Sequence, residues 1–130
     1  MPITGTVVRG SIVRLNLHPA KGHEQHGWRP AIVISDGIIN DPFACIVPVT
    51  NQAKGNPFEL TVPQGIAISS SHPDFRYTHL AGVALRDQFK TLDLDERNAE
   101  VIGQVDTRSK FYKELVMPII GTLIPPSPGK

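Results

Sequence analysis

Proline and glycine punctuate this chain so densely that few regular elements can grow long. Twelve prolines and eleven glycines fall within 130 residues. Proline fixes φ and carries no N–H, and glycine weakens the interior of a helix or strand, so the stretches between them must be short. Short apolar runs bounded by turn residues favour a small barrel over a helical bundle. Ile12 to Leu17 alternates and predicts a first strand. Ala31 to Ser35, Ala44 to Val49 and Phe58 to Val62 predict the next three, with turns over Ile38 to Phe43 and Thr50 to Pro57. Gly82 to Leu85, Gln88 to Leu94 and Glu100 to Gly103 predict further strands. Between Pro63 and Leu80 the pattern weakens. Ser69, Ser70, Ser71, His72 and Pro73 mark an exposed excursion, with Phe75 and Tyr77 expected to anchor part of it.

A helical period emerges only near the C-terminus. Phe111, Leu115, Ile119 and Leu123 recur every four residues, which stacks them on one face. Asp106 is the expected N-cap. Pro118 predicts a kink or break near Val116, because a proline inside a helix removes a hydrogen bond and crowds the preceding turn. Residues 1–124 read as a single domain and 125–130 as a mobile tail.

Composition excludes several classes of function. No apolar run approaches the roughly 18 residues of a membrane span, and Met1 to Arg9 lacks the layout of a secretory signal. The lone Cys45 has no partner for an internal disulfide and is expected to pack as a small hydrophobe. The cytoplasm is the expected compartment. A net charge of +1 rules out a polybasic arm that holds nucleic acid by bulk attraction. Any polyanion must therefore meet a local cluster, for which Lys21, Arg29, Lys54, Arg86 and Lys90 are the candidates.

Three stretches carry chemistry. From His18 to Arg29 a polar segment of about 12 residues delivers an arginine to the mouth of the next strand, longer than an ordinary hairpin connection. Arg29 suits an anion, yet it suits a surface ion pair or a stack on Trp28 equally well. Further on, a buried strand opens into Thr50, Asn51, Gln52 and Lys54. These groups can hold a ribose hydroxyl and a phosphate, or can satisfy their own turn. In the third stretch, Asp87 and Gln88 interrupt an apolar alternation and must either pair inside the fold or face a ligand.

Taken together these stretches resemble the MazF/PemK family of toxins, which includes Kid and ChpB. Gly22, Glu24, Gln25, Gly27, Arg29 and Pro30 match the family's loop, and Pro48 and Thr50 match its strand end. Lys54 to Glu59 match its Lys-Gly-x-Pro-Phe-Glu run, and Gly82, Asp87, Gln88 and Lys90 match its Gly-x-x-x-x-Asp-Gln segment. Ser11, His18 and Ala20 depart from the family's Asp, Asp and Thr, and Ile66 to Leu80 looks like an insertion.

The resemblance implies a mainly β fold with short helices, an SH3-like, partly open β-barrel of the CcdB/PemK kind, plus a C-terminal helix. It implies a homodimer that cuts single-stranded RNA, and a cognate antitoxin of the MazE type. The 2′-hydroxyl would act as nucleophile, leaving a cyclic phosphate and a 5′-hydroxyl, with no metal and no cofactor. Arg29 and Thr50 are then the catalytic pair, and Glu24 a possible acid or base. Lys21, Gln25, Trp28, Asn51, Gln52, Lys54, Arg86, Asp87, Gln88 and Lys90 would contact RNA. His26, beside His18 and His23 in the same loop, is a rival source of the missing proton. A zinc site built on those histidines is disfavoured, because no cysteine or carboxylate completes it at suitable spacing. The rival functions are a CcdB-like gyrase poison that cuts no RNA and a catalytically silent RNA-binding domain.

Overall fold

The computed structural model describes residues 3–16, 28–38, 42–72 and 75–123, with the backbone alone at Trp28 and at 120–123. Among the described residues, seven strands and one α-helix form the main elements: β1 (Ser11–Asn16), β2 (Trp28–Val33), β3 (Phe43–Thr50), β4 (Glu59–Thr61), β5 (Val83–Leu85), β6 (Lys90–Asp93), β7 (Glu100–Gln104) and α1 (Lys110–Leu123). Neighbouring strands run antiparallel in the order β4-β5-β3-β2-β1-β7, and β6 pairs with β3 off that path. The sheet is curved but not closed, a partly open barrel.

β3 organises this layout. Residues Phe43 to Ile46 pair with β6, whereas Val49 and Thr50 pair with β5. One long strand thus serves two partners on the same edge, and the sheet bends between them. Alternation along β1, β2 and β3 divides the apolar residues between two cores. Ile12, Ile32, Val47 and Val49 pack with Phe111, Tyr112, Leu115 and Ile119 of the helix. Val13, Leu15, Ala31, Val33 and Ile46 pack on the other face with Leu92, Leu94 and Ala99. With a core on each side, every residue of β1 is buried.

The segment between β4 and β5 doubles back as an irregular hairpin. Ala67 bridges His79, Ile68 N–H donates to the Thr78 carbonyl, and Leu80 N–H donates to the Ile66 carbonyl. Ser69 N–H then donates to the Ile102 carbonyl of β7 at 2.8 Å, docking the hairpin on the outer edge of the sheet. Thr4 occupies the same edge further along, exchanging hydrogen bonds with Ala99 and Val101. Gly103 makes the docking possible, because a Cβ there would lie 2.8 Å from the Ala67 carbonyl oxygen.

Several sequence expectations are corrected. β2 begins at Trp28, so Arg29 lies within a strand opposite Leu15 and not at the end of a loop. Gln88 does not open a strand. Arg86–Gln88 form a single 3₁₀ turn between β5 and β6, in which Asp87 and Gln88 are both exposed. Asp106 does not cap the helix. The cap is Ser109, whose Oγ accepts the Tyr112 N–H at 3.1 Å, while Asp106 accepts the Arg108 N–H in the preceding turn. The helix runs unbroken through Pro118, for a reason that lies in Arg86.

Candidate active site

β2 and β3 pair at Val33↔Ile46, Ile32↔Val47 and Ala31↔Pro48. Beyond that point Pro30 and Pro48 offer no N–H to a ladder, and no further pair joins the two strands. Carried two residues onward, the same register sets Arg29 opposite Thr50. Both side chains line one cavity of about 640 Å³ at this mouth. Asn51 and Gln52 continue the lining from the end of β3, and Arg14 contributes from β1. The hairpin completes the lining with His72, Phe75, Tyr77 and His79.

Thr50 is held from two sides. Its hydroxyl accepts the Gln52 N–H at 3.1 Å, and β3 pairs it with Val83 of β5. Gly82 packs so closely beneath that a Cβ would collide with the Thr50 carbonyl. It also adopts φ +103°, a region that side-chain-bearing residues rarely enter. The glycine is therefore required where β5 starts, and it fixes the height of Thr50 in the cavity wall.

The electrostatics favour an anion. Arg14 and Arg29 bring two permanent cations to the lining, and among the described residues no carboxylate lines the cavity. Arg14 is neutralised from behind by Glu100 at 3.1 Å, with both side chains buried. Arg29 is exposed. Glu100 is the anchor of the hairpin wall: its carboxylate also accepts the hydroxyls of Ser70 and Ser71 and the Ser71 N–H. Burial alone would push this carboxyl up. The donors from Ser70, Ser71 and Arg14 outweigh that and hold it down at about 2.

The other expected contact residues sort differently. Lys54, Asp87, Gln88 and Lys90 are exposed but stand outside the cavity lining. Glu59 closes the Lys54 to Glu59 run on itself, its carboxylate accepting the N–H groups of Lys54 and Gly55. Arg86 is no ligand-facing cation. Its guanidinium donates to the carbonyls of Phe58, Glu114 and Pro57 at 2.9, 3.0 and 3.1 Å. Ser11, where the family pattern has Asp, is fully buried and accepts the Val8 N–H through its hydroxyl. Lys21, Glu24 and Gln25 lie outside the described residues, as do His18, His23 and His26, and of Trp28 only the backbone is described.

Sequence reasoning missed Arg14, His72 and His79 and misjudged Tyr77, which is 63% exposed rather than an anchor. The available signal was the hairpin segment itself, a long unpatterned connection rich in aromatic and imidazole side chains.

The family description "PemK-like, MazF-like toxin of type II toxin-antitoxin system" matches residues 8–110, which span β1 to the start of α1. The chain belongs to this toxin family. The endoribonuclease toxin MazF of Escherichia coli is 37% identical over 98 residues, covering 74% of this chain and 77% of that relative. The endoribonuclease PemK of Escherichia coli is 33% identical over 99 residues, covering 75% and 68% respectively. A crystal structure of MazE-MazF from Deinococcus radiodurans superposes with a TM-score of 0.67 at 28% identity, covering 95% of this chain and 99% of that one. At 95% coverage the likeness to that structure reaches past residue 110 into α1.

Proposed function

We propose that the cavity bearing Arg29 and Thr50 is the catalytic site of an endoribonuclease toxin that cuts single-stranded RNA. The observation that carries the reading is the convergence of those two side chains, from separate strands, on one anion-favouring cavity. The names of the MazF, PemK and ChpB relatives, all endoribonucleases, support the same activity.

The reaction is attack of a ribose 2′-hydroxyl on its own phosphodiester. The 2′-oxygen loses its proton and bonds to phosphorus, the bond to the 5′-oxygen breaks, and that oxygen takes up a proton. The products are a cyclic phosphate and a 5′-hydroxyl. Arg29 carries the charge that develops on the non-bridging oxygens, since its planar fork meets two of them at once. With a pKa above about 12 it is no proton donor. Thr50 orients the 2′-hydroxyl by hydrogen bonding and is too weak a base to remove its proton. Glu24, in the segment joining β1 to β2, supplies acid–base function. Positive charge comes from the guanidinium, so the reaction proceeds without a metal.

Asn51 and Gln52 contact the ribose and neighbouring bases inside the cavity. Lys21, Gln25, Trp28, Lys54, Asp87, Gln88 and Lys90 guide the flanking nucleotides. The toxin acts in the cytoplasm as a homodimer with the RNA track running along the pair. A MazE-like antitoxin with an acidic tail covers that track, a partnership supported by the MazE-MazF structures of a relative.

The decisive assay is cleavage of a mixed single-stranded RNA in chelator, with mapping of 5′-hydroxyl ends. Wild-type protein is expected to cut at a restricted set of positions. Arg29→Ala is expected to lose at least a hundredfold in rate, the scale of removing a charge-stabilising group, with unchanged thermal melting and an intact dimer. Wild-type protein that makes no cuts overturns the reading.

A further inference from the structure

We infer that Tyr77 is the stacking platform for an unstacked nucleobase next to the scissile phosphate, and that Phe75 holds it in place. This rests on the nuclease reading and extends it to the recognition of sequence. The juxtaposition is specific. Five large apolar side chains are exposed among the described residues, Val8, Phe43, Phe58, Tyr77 and Met117, and of these Tyr77 alone lines the cavity with Arg29 and Thr50.

An exposed ring serves as a platform only if it is fixed. Phe75 is half-buried against the helix-side core, and its ring meets Tyr77 edge to face, 5.5 Å between centroids at 71°. Thr78, the next residue, is locked to Ile68 through its carbonyl, and Ser69 is locked to β7. Ser70 and Ser71 are tied to the buried carboxylate of Glu100. Hydrogen bonds thus hold the described residues 68–71 and Thr78 on either side of the aromatic pair, and a platform held in this way needs less ordering when a base arrives.

A guanidinium and a hydroxyl for the backbone, with an exposed aromatic ring in the same cavity, is a combination that suits single-stranded nucleic acid. Bases splayed out of a strand stack on aromatic side chains while cations follow the phosphates. His79, whose Nδ1 is engaged by the Thr78 hydroxyl at 3.0 Å, leaves Nε2 as its one remaining hydrogen-bonding position beside the platform.

The test uses full-length protein and a short RNA that contains one mapped cut site. Base stacking removed by truncation predicts a loss of about tenfold in kcat/KM for Tyr77→Ala, with relaxed preference at one position flanking the cut. Tyr77→Phe, which keeps the ring, is expected to stay within about twofold. Tyr77→Leu, apolar but without a π-face, should resemble Ala. The same oligonucleotide carrying a 2′-deoxy sugar at the cut site and 2-aminopurine beside it reports stacking without turnover. Its fluorescence is expected to be quenched by wild type and by Tyr77→Phe, and not by Tyr77→Ala. Equal quenching and an unchanged cut pattern for Tyr77→Ala, with normal melting, overturn the inference. Failure of wild type to cut any RNA overturns the nuclease reading, and with it this inference, whereas equal behaviour of wild type and Tyr77→Ala overturns the inference alone.

Discussion

Two single residues set the height and the tilt of the cavity walls, and neither touches the substrate in the proposed reaction. Gly82 stands where any Cβ would strike the Thr50 carbonyl. Gly82→Ala combines that clash with a residue forced to positive φ, a cost of about 1–3 kcal/mol for the backbone alone. It is expected to lower the melting temperature and to reduce cleavage at least tenfold, since Thr50 has to shift. Chemical denaturation alongside the cleavage assay separates the two effects. Glu100 anchors the hairpin part of the lining. Its pKa in the folded chain is about 2, against 4.5 ordinarily, so the folded state refuses a proton that the unfolded chain accepts. The resulting stabilisation is complete above pH 4.5 and is lost as pH falls toward 2, and at its fullest it is of the order of 3 kcal/mol. Glu100→Gln is expected to flatten the stability profile between pH 5 and 2 and to loosen the hairpin wall, read by denaturant unfolding across pH.

At the scale of the elements, the helix explains the arginine that sequence reasoning assigned to RNA. Pro118 has no N–H to give to the Glu114 carbonyl four residues earlier, the position that a regular helix would pair. Arg86 supplies the donor instead, with Nη1 3.0 Å from that oxygen. The expected break therefore does not occur, and the 3₁₀ turn between β5 and β6 is bolted to α1. Arg86→Ala should destabilise the fold by about 1–3 kcal/mol, the cost of leaving polar groups unsatisfied. In Pro118→Ala the helix regains its own donor, so the loss from Arg86→Ala is expected to shrink. Unfolding free energies of the two single variants and the double variant measure that coupling. Additive effects would refute the account.

For the molecule as a whole, what was legible in the sequence followed the range of the interactions involved. β1, β2 and β3 were readable because alternation is local, whereas Arg29 and Thr50, which line one cavity, were paired in the sequence only through the family resemblance. The two cores follow from that same alternation. The second cavity wall was not legible. It depends on Ser70 and Ser71 finding Glu100, about thirty residues away along the chain, and no local period announces such a contact. The helix cap was misplaced by three residues because Asp106 and Ser109 are both good capping types, and only the path of the turn selects between them. Pro118 misled for the same kind of reason, since its remedy lies 32 residues upstream, at Arg86.

The outer margin of β7 has a further consequence. A terminal strand normally offers its bare amides to any passing extended segment, and that is how folded sheets recruit neighbours into fibrils. In this chain Thr4 and Ser69 already occupy that margin, and the opposite terminus, β4, is only three residues long. The hairpin that walls the cavity thus doubles as insulation, shielding this margin from strand-to-strand pairing with a passing extended segment.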